Sequence, residues 1–301
     1  MTGGQMKYGT PRALEQAVKA AAKRSGRDVN KAIKGFYHDR LLCRVFSLVE
    51  PAFVLKGGQS MLAKIRDARE TKDIDLLGRT SDLDGALEEL KAVTAIDLGD
   101  YLEYRFRDAR PTDTSQDYRE GYTVRFDVWL GGTREMGVVS VDLVVDPIAP
   151  SETETLVPVG RLDVEGLKVF DYIANTAETR VAEKVCATMQ TYATGASSRV
   201  KDLVDLVTSM LNEEVDAGKL SERIAIERAF RRIEPFAEFA VPESWKTIWA
   251  KNYRKLAREA RLPERMEDVV AAEAEVASWL NPVLAEEALG LRWNPSSGVW
   301  R

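Results

Sequence analysis

Apolar positions recur at helical spacing from the start of the chain. Leu14, Val18 and Ala21 precede Gly26, and Ile33, Phe36, Leu41, Val45 and Leu48 follow Asp28, which is placed to cap a second helix. Pro51 ends that pattern. "AFVLKG" is a short apolar run of the kind that forms a buried strand, "SMLAKIRDA" returns to helical spacing, and "DIDLLG" predicts a second strand. "SDLDGALEELKAVTA" predicts a helix with leucines at 83, 87 and 90 on one face. "YLEYRFRD", "YTVRFDVWLGG" and "GVVSVDLVV" are alternating or apolar runs separated by turn residues, as expected of antiparallel strands in one sheet. A short strand is expected at "LKVFD". Five helical patterns then follow, "TAETRVAEKVCATMQTY", "SRVKDLVDLVTSML", "SERIAIERAFRRI", "ESWKTIWAKNYRKLAREA" and "MEDVVAAEAEVASWL".

This order predicts an α+β protein: a helical segment over 1–50 that packs on the core, a mixed-sheet domain over 51–160 and a mostly helical domain over 161–301. At 301 residues with 45% hydrophobic and 30% charged composition the chain can bury a substantial core, and no apolar run is long enough to cross a membrane. With only Cys43 and Cys186, no CxxC spacing and no secretory pattern, a reducing cytoplasm is the expected compartment. "MTGGQM" is similar to an expression-tag remnant and is left out of the fold argument.

Charge is unevenly distributed although the net value is −5. Residues 1–50 hold ten Lys or Arg against four acids, a net of +6, and a second basic run, "KNYRKLAREARLPER", spans 251–265. Such runs are commonly solvated helix faces, but either would also suit a polyanion.

The candidate chemistry begins at Lys56-Gly57-Gly58-Gln59-Ser60. A strand that turns through two glycines into a helix gathers backbone N–H groups and the positive helix end at one point, an anion site to which a serine hydroxyl adds a donor. Asp73 and Asp75 flank Ile74, so strand alternation directs both carboxylates to one face and Ile74 to the core. Like charges so close are tolerable if solvated or if a divalent cation lies between them, and an all-oxygen donor set suits Mg²⁺ or Mn²⁺. A third carboxylate is expected from Asp142 in "VVSVDLVV" or Asp127 in "RFDVWL"; the competing reading pairs either acid with Arg125 or another base. His38, the single histidine, is expected on the surface of its helix.

"FVLKGGQSML", "RETKDIDLL", "VSVDLVVD", "AEKVCA" and "RVKDLVDL", in that order over residues 53–207, resemble the AbiEii/AbiGii-type nucleotidyltransferase toxins, which include the MenT-type toxins of toxin–antitoxin systems. The resemblance implies a DNA-polymerase-β-like nucleotidyltransferase fold, whose signature is Gly-Ser followed by Asp-x-Asp. Here Gln59 splits the Gly and the Ser, and twelve residues separate Ser60 from Asp73. It further implies catalytic roles for Asp73, Asp75, Lys184 and Asp202, with Asp205 competing for the last. Mg²⁺ would be held by Asp73 and Asp75 with Asp142, and an NTP by Lys56, Gly57, Gly58, Ser60, Lys184 and Arg199. Arg69 and Thr71 match the run before the first aspartate, which makes Thr71 a candidate regulatory phosphorylation point. The implied acceptor is the 3′ end of tRNA or another RNA, blocking aminoacylation and translation, and the implied partner is a cognate antitoxin, a DNA-binding regulator or a kinase. The competing functions are transfer to a protein or a small molecule, and nucleotide binding without catalysis.

Overall fold

A computed structural model describes residues 7–65, 71, 73–80, 82–112, 120–146, 152–190 and 199–301, and divides between Ala174 and Asn175 into two units. Arg69 and the "MTGGQM" segment lie outside the described residues.

The first unit opens with α1 (Pro11–Arg24) and α2 (Val29–Val45). Thr10 caps α1 through the amide of Ala13, with Pro11 in the first turn, and Asp28 caps α2 through the amide of Lys31. There follow β1 (Phe53–Leu55), α3 (Gly57–Lys64), β2 (Ile74–Gly78), α4 (Leu83–Thr94), β3 (Leu102–Pro111), β4 (Gly121–Leu130), β5 (Arg134–Val145), β6 (Thr153–Leu156) and β7 (Tyr172–Asn175). The strands form one mixed sheet in the order β3-β4-β5-β2-β1-β7-β6. The meander β3-β4-β5 is antiparallel as expected, whereas β2 lies parallel to β5 and β1 antiparallel to β2. Leu14 and Val18 of α1, Phe36 and Leu41 of α2, and Leu87 and Leu90 of α4 are buried in one core with Ile74, Leu76, Val141 and Leu143 of the sheet. Residues 1–50 therefore contribute to this core.

Two expectations are corrected here. "LKVFD" is not a strand: the Lys168 carbonyl accepts from Arg40 at 2.6 Å and the Phe170 carbonyl from Arg161 at 2.8 Å, so guanidinium groups satisfy backbone that a sheet would otherwise pair. The strand lies just beyond it, at Tyr172–Asn175. His38 is not a surface residue either. It is 2% exposed, because α2 from His38 to Val45 is buried all round.

That burial is possible because Arg40 and Arg44 of α2 are internally paired. Asp100, fully buried, accepts from Arg40 at 2.8 Å and from Arg44 at 2.7 Å, and Arg44 also donates to the Leu102 carbonyl at 2.7 Å. Burial alone would raise the Asp100 pKa, but the Arg44 and Arg40 guanidiniums overcome it and hold the carboxyl below its ordinary value. Asp39 accepts from Arg161 at 2.7 Å and from the Tyr172 hydroxyl.

The second unit contains α5 (Ala177–Met189), α6 (Val200–Asn212), α7 (Ala217–Arg231), α8 (Glu243–Glu259) and α9 (Val269–Leu284) around their own core, including Val181, Leu203, Val207, Trp249 and Trp279. The five expected helices are present. A small antiparallel sheet accompanies them, β8 (Val215–Asp216), β9 (Arg292–Asn294) and β10 (Val299–Trp300). Strands of two or three residues are too short to show a period of two, so no sequence pattern announces them. Indole N–H groups pin this sheet: Trp293 donates to the Met210 carbonyl at 2.7 Å and Trp300 to that of Trp279 at 2.9 Å. Among the described residues no helix is long and apolar enough to cross a membrane.

Replacing Asp100 by Asn leaves two buried guanidiniums without their counter-charge. Urea unfolding should show a loss of about 3–5 kcal/mol relative to wild type; an unchanged midpoint would mean that the arginines find other partners.

Candidate functional site

In the first unit the site is built at the junction of β1, α3, β2 and β5. β2 and β5 run parallel with Asp75 opposite Asp142, Ile74 opposite Val141 and Leu76 opposite Leu143. The apolar members of these pairs are fully buried, so the two carboxylates share the other face, on strands roughly 4.8 Å apart. β4 extends the row: Thr123 lies opposite Asp142 and its hydroxyl donates to Asp142 Oδ1 at 2.8 Å. Asp73 immediately precedes β2, half-buried, and its carbonyl accepts from the Thr71 hydroxyl at 3.1 Å.

α3 begins beside this row. Lys56 donates its backbone N–H to the Asp75 carbonyl at 2.9 Å, and no side chain caps the start of the helix. Gly57 has φ of +57° and its backbone abuts Asp75, so a β-carbon there would lie 2.2 Å from Asp75 Oδ2. Glycine is thus required twice, by the backbone conformation and by the carboxylate next to it. Ser60 is fully buried and its hydroxyl donates to the Gly57 carbonyl at 2.8 Å, bracing the turn from within. Gln59 shares a side-chain hydrogen bond with His38, whose pKa burial and nearby Lys34 push down to about 4 against the effect of that bond. The imidazole is neutral at pH 7.

In the second unit, Lys184 of α5 meets two carboxylates of α6. Its ammonium lies 2.7 Å from Asp205 Oδ2 and 3.4 Å from Asp202 Oδ1, and the Arg199 guanidinium is 3.7 Å from Asp202 Oδ2. Lys184, Asp202 and Asp205 are all buried.

The sequence model of the family described as "Nucleotidyl transferase AbiEii toxin, Type IV TA system" matches residues 40–272. The chain belongs to the AbiEii nucleotidyltransferase toxin family. Solved structures similar to it include a candidate nucleotidyltransferase from H. pylori, at 15% identity and TM-score 0.41 over 87% of this chain and 97% of that one. Another is JHP933 from Helicobacter pylori, at 14% identity and TM-score 0.43 over 91% of this chain and 95% of that one. Likenesses this distant do not bear on site or substrate. No curated protein matches the chain.

In this AbiEii-family chain the two candidates for a third carboxylate stand in different surroundings. Asp142 stands beside Asp75, whereas Asp127 is 2.6 Å from Arg107 Nε. Arg125, the expected partner of either acid, forks onto both oxygens of Asp108 at 2.9 and 2.5 Å. Asp73 does not close a compact trio: among the described residues no three His, Cys, Asp or Glu side chains gather closely enough to hold a metal ion on their own. Ser60, expected to offer a hydroxyl to a ligand, instead directs it into its own helix. Both Asp202 and Asp205 meet Lys184, the second more closely.

Sequence reasoning missed Thr123, because the one signal available, a count from the hairpin, points to its neighbour. Counting back from the β4–β5 hairpin, where Leu130 pairs Arg134, places Tyr122 opposite Asp142. A bulge at Met136, next to Gly137 with φ of +141°, shifts the register by one and brings Thr123 there instead.

Gly57→Ala forces a methyl group against Asp75 in a left-handed backbone. Urea unfolding should show a loss of about 1–3 kcal/mol, and calorimetry should show weakened NTP binding; wild-type values for both would mean that Asp75 moves aside freely.

Proposed function

We propose that this AbiEii-family chain uses a divalent cation and an NTP to add nucleotide to the 3′ end of an RNA, tRNA foremost, and so blocks aminoacylation. The observation that carries the reading is the in-register pair Asp75 and Asp142 beside the glycine start of α3. Two carboxylates side by side on neighbouring strands favour a cation between them. The all-oxygen donor set fits Mg²⁺ or Mn²⁺, and Mg²⁺ is commonly held by one or two carboxylates with substrate phosphates and water completing its shell, so a two-carboxylate platform suffices. When bound, the ion supplies Lewis-acid polarisation of phosphoryl oxygens and lowers the pKa of an attacking hydroxyl.

The remaining work falls to the chain. Asp75 and Asp142 hold the ion, Asp73 adds a nearby carboxylate, and Thr123 fixes the orientation of Asp142. The first-turn amides of α3, from Gly57 and Gly58, with Lys56, direct positive potential at the triphosphate. Lys184, held by Asp202 and Asp205 and accompanied by Arg199, is assigned to phosphate charge. A phosphate on Thr71, whose hydroxyl already bonds the Asp73 backbone, would set a dianion among these carboxylates and silence them. The family implies a cognate antitoxin; a kinase acting at Thr71 would be one form of it, and a DNA-binding regulator another.

Incubation with Mg²⁺, each labelled NTP in turn and total tRNA tests this directly. Label should enter tRNA with wild type and be lost with Asp75→Asn, Asp142→Asn and Lys184→Ala when their folding is intact by circular dichroism. Label entering protein or small molecules instead, or nothing with any nucleotide, would overturn it. Within the same assay Thr123→Val should raise the Mg²⁺ concentration for half-maximal transfer about 10–100-fold, with Thr123→Ser close to wild type.

A further inference from the structure

The two basic segments of the sequence have different fates. In the first, Arg40 and Arg44 are buried on Asp100, Lys7 pairs Glu165, Lys19 pairs Glu15 at 2.6 Å, and Arg27 donates to the Gly160 carbonyl at 2.6 Å. Lys23 and Arg24 occupy the last turn of α1, where they offset the negative helix end.

The second segment remains on the surface. Trp245, Trp249, Tyr253 and Ala257 turn the apolar face of α8 into the core of its unit, and Lys251, Arg254, Lys255 and Arg258 are exposed on the opposite side at i, i+3, i+4 and i+7. They line a groove of about 570 Å³ with Ala250 and Glu259. Lys251 and Arg254 have no ion-pair partner among the described residues, Lys255 reaches Glu259 only at 4.0 Å, and Arg258 is held by Glu267 at 2.6 Å, so the charge open to a ligand is centred on Lys251, Arg254 and Lys255. Between Lys251 and Arg265 six cations face two carboxylates.

We infer that this stripe of α8 is the surface on which the phosphate backbone of the RNA acceptor docks. The inference rests on the proposed function for the identity of the polyanion as RNA. Three observations select that occupant. Cations one turn apart, rising about 6 Å per step, form a ladder of charge suited to a repeating anion. The stripe also lacks the aromatic and aliphatic anchors of a protein interface: Ile248, 63% exposed, is the one large apolar side chain of α8 open to solvent among the described residues. Finally, the apolar face of α8 is already buried, so none is left to enter a bilayer.

The test uses the full chain and a fluorescently labelled tRNA, titrated at several salt concentrations against wild type, K251E/R254E and K251Q/R254Q, each with its thermal midpoint and NTP affinity checked against wild type. Both sites are exposed, so folding should be unaffected. The reversal variant should bind at least about tenfold more weakly at low salt, and the neutral variant should lower the slope of log affinity against log salt by about two. Wild-type affinity and slope in both variants would overturn the inference, as would loss of tRNA binding only on reversal of Arg12, Lys23 and Arg24, or a stripe that binds an acidic protein while tRNA does not bind. Failure of the catalytic reading looks different. Stripe-dependent tRNA binding without nucleotide addition leaves this inference standing, and transfer to tRNA by wild type and both variants alike removes it alone.

Discussion

The parallel pairing of β2 with β5 is the constraint on which the candidate site depends. Ile74, Leu76, Val141 and Leu143 are all fully buried, and they occupy alternate positions on two strands in register. Burying one set fixes the other, because a period of two leaves no freedom between them. Asp75 and Asp142 are therefore brought together by the hydrophobic core, and the repulsion between them is imposed by burial elsewhere. Gly57 belongs to the same constraint: the start of α3 must close against the Asp75 carboxylate, and only a residue without a β-carbon fits there. The start of α3 and the carboxylate pair are thus parts of one packing solution.

What the sequence disclosed follows from how local each feature is. α1, α2, α4 and the meander β3-β4-β5 come from periodicity and caps lying within a dozen residues, and the structure contains them. The pairing of β2 with β5 joins segments far apart in the chain and has no local mark, which is why the sequence offers both Asp142 and Asp127 and only the register places Asp142 opposite Asp75. His38 was misplaced because the polarity of its neighbours suggested a solvated helix. Arg40 and Arg44 count as surface in any composition, yet Asp100, remote in sequence, makes them core. Thr123 was hidden by a single extra residue at Met136, since one bulge defeats any count made from the hairpin.

The cluster at Lys184 shows a different physical balance. Burying two aspartates and a lysine removes three hydrated charges from water, and such clusters add little stability over well-packed apolar side chains of the same volume. With Arg199 near Asp202 the charges sum to zero, so the cluster is electrostatically tolerable without being a source of stability. It joins α5 to α6 through charge where apolar contacts would serve stability as well. The contrast is Arg180 with Glu213, where the guanidinium also donates to the Asn175 carbonyl and so fixes backbone in place.

A chain with a net charge of −5 is at first sight a poor partner for RNA. Net charge, however, governs only what is felt at long range, and at physiological ionic strength the Debye length is about 8 Å. Within that distance of α8 a phosphate meets Lys251, Arg254 and Lys255, with Glu259 and the Arg258–Glu267 pair beside them, so the local balance is positive although the chain is acidic. The fold sharpens this further by removing Arg40 and Arg44 from the surface and pairing Lys7 and Lys19 in place. Roughly half of the N-terminal cations are thereby committed to architecture, while Arg12, Lys23, Arg24, Lys31 and Lys34 stay exposed, so the stripe of α8 differs by its regular one-turn spacing and not by being the sole basic surface. Docking by such a face would be steered by a local field and weakened steeply by salt, while the proposed transfer at Asp75 and Asp142 would depend on short-range geometry, so ionic strength would change how often an acceptor arrives without changing how the site treats it.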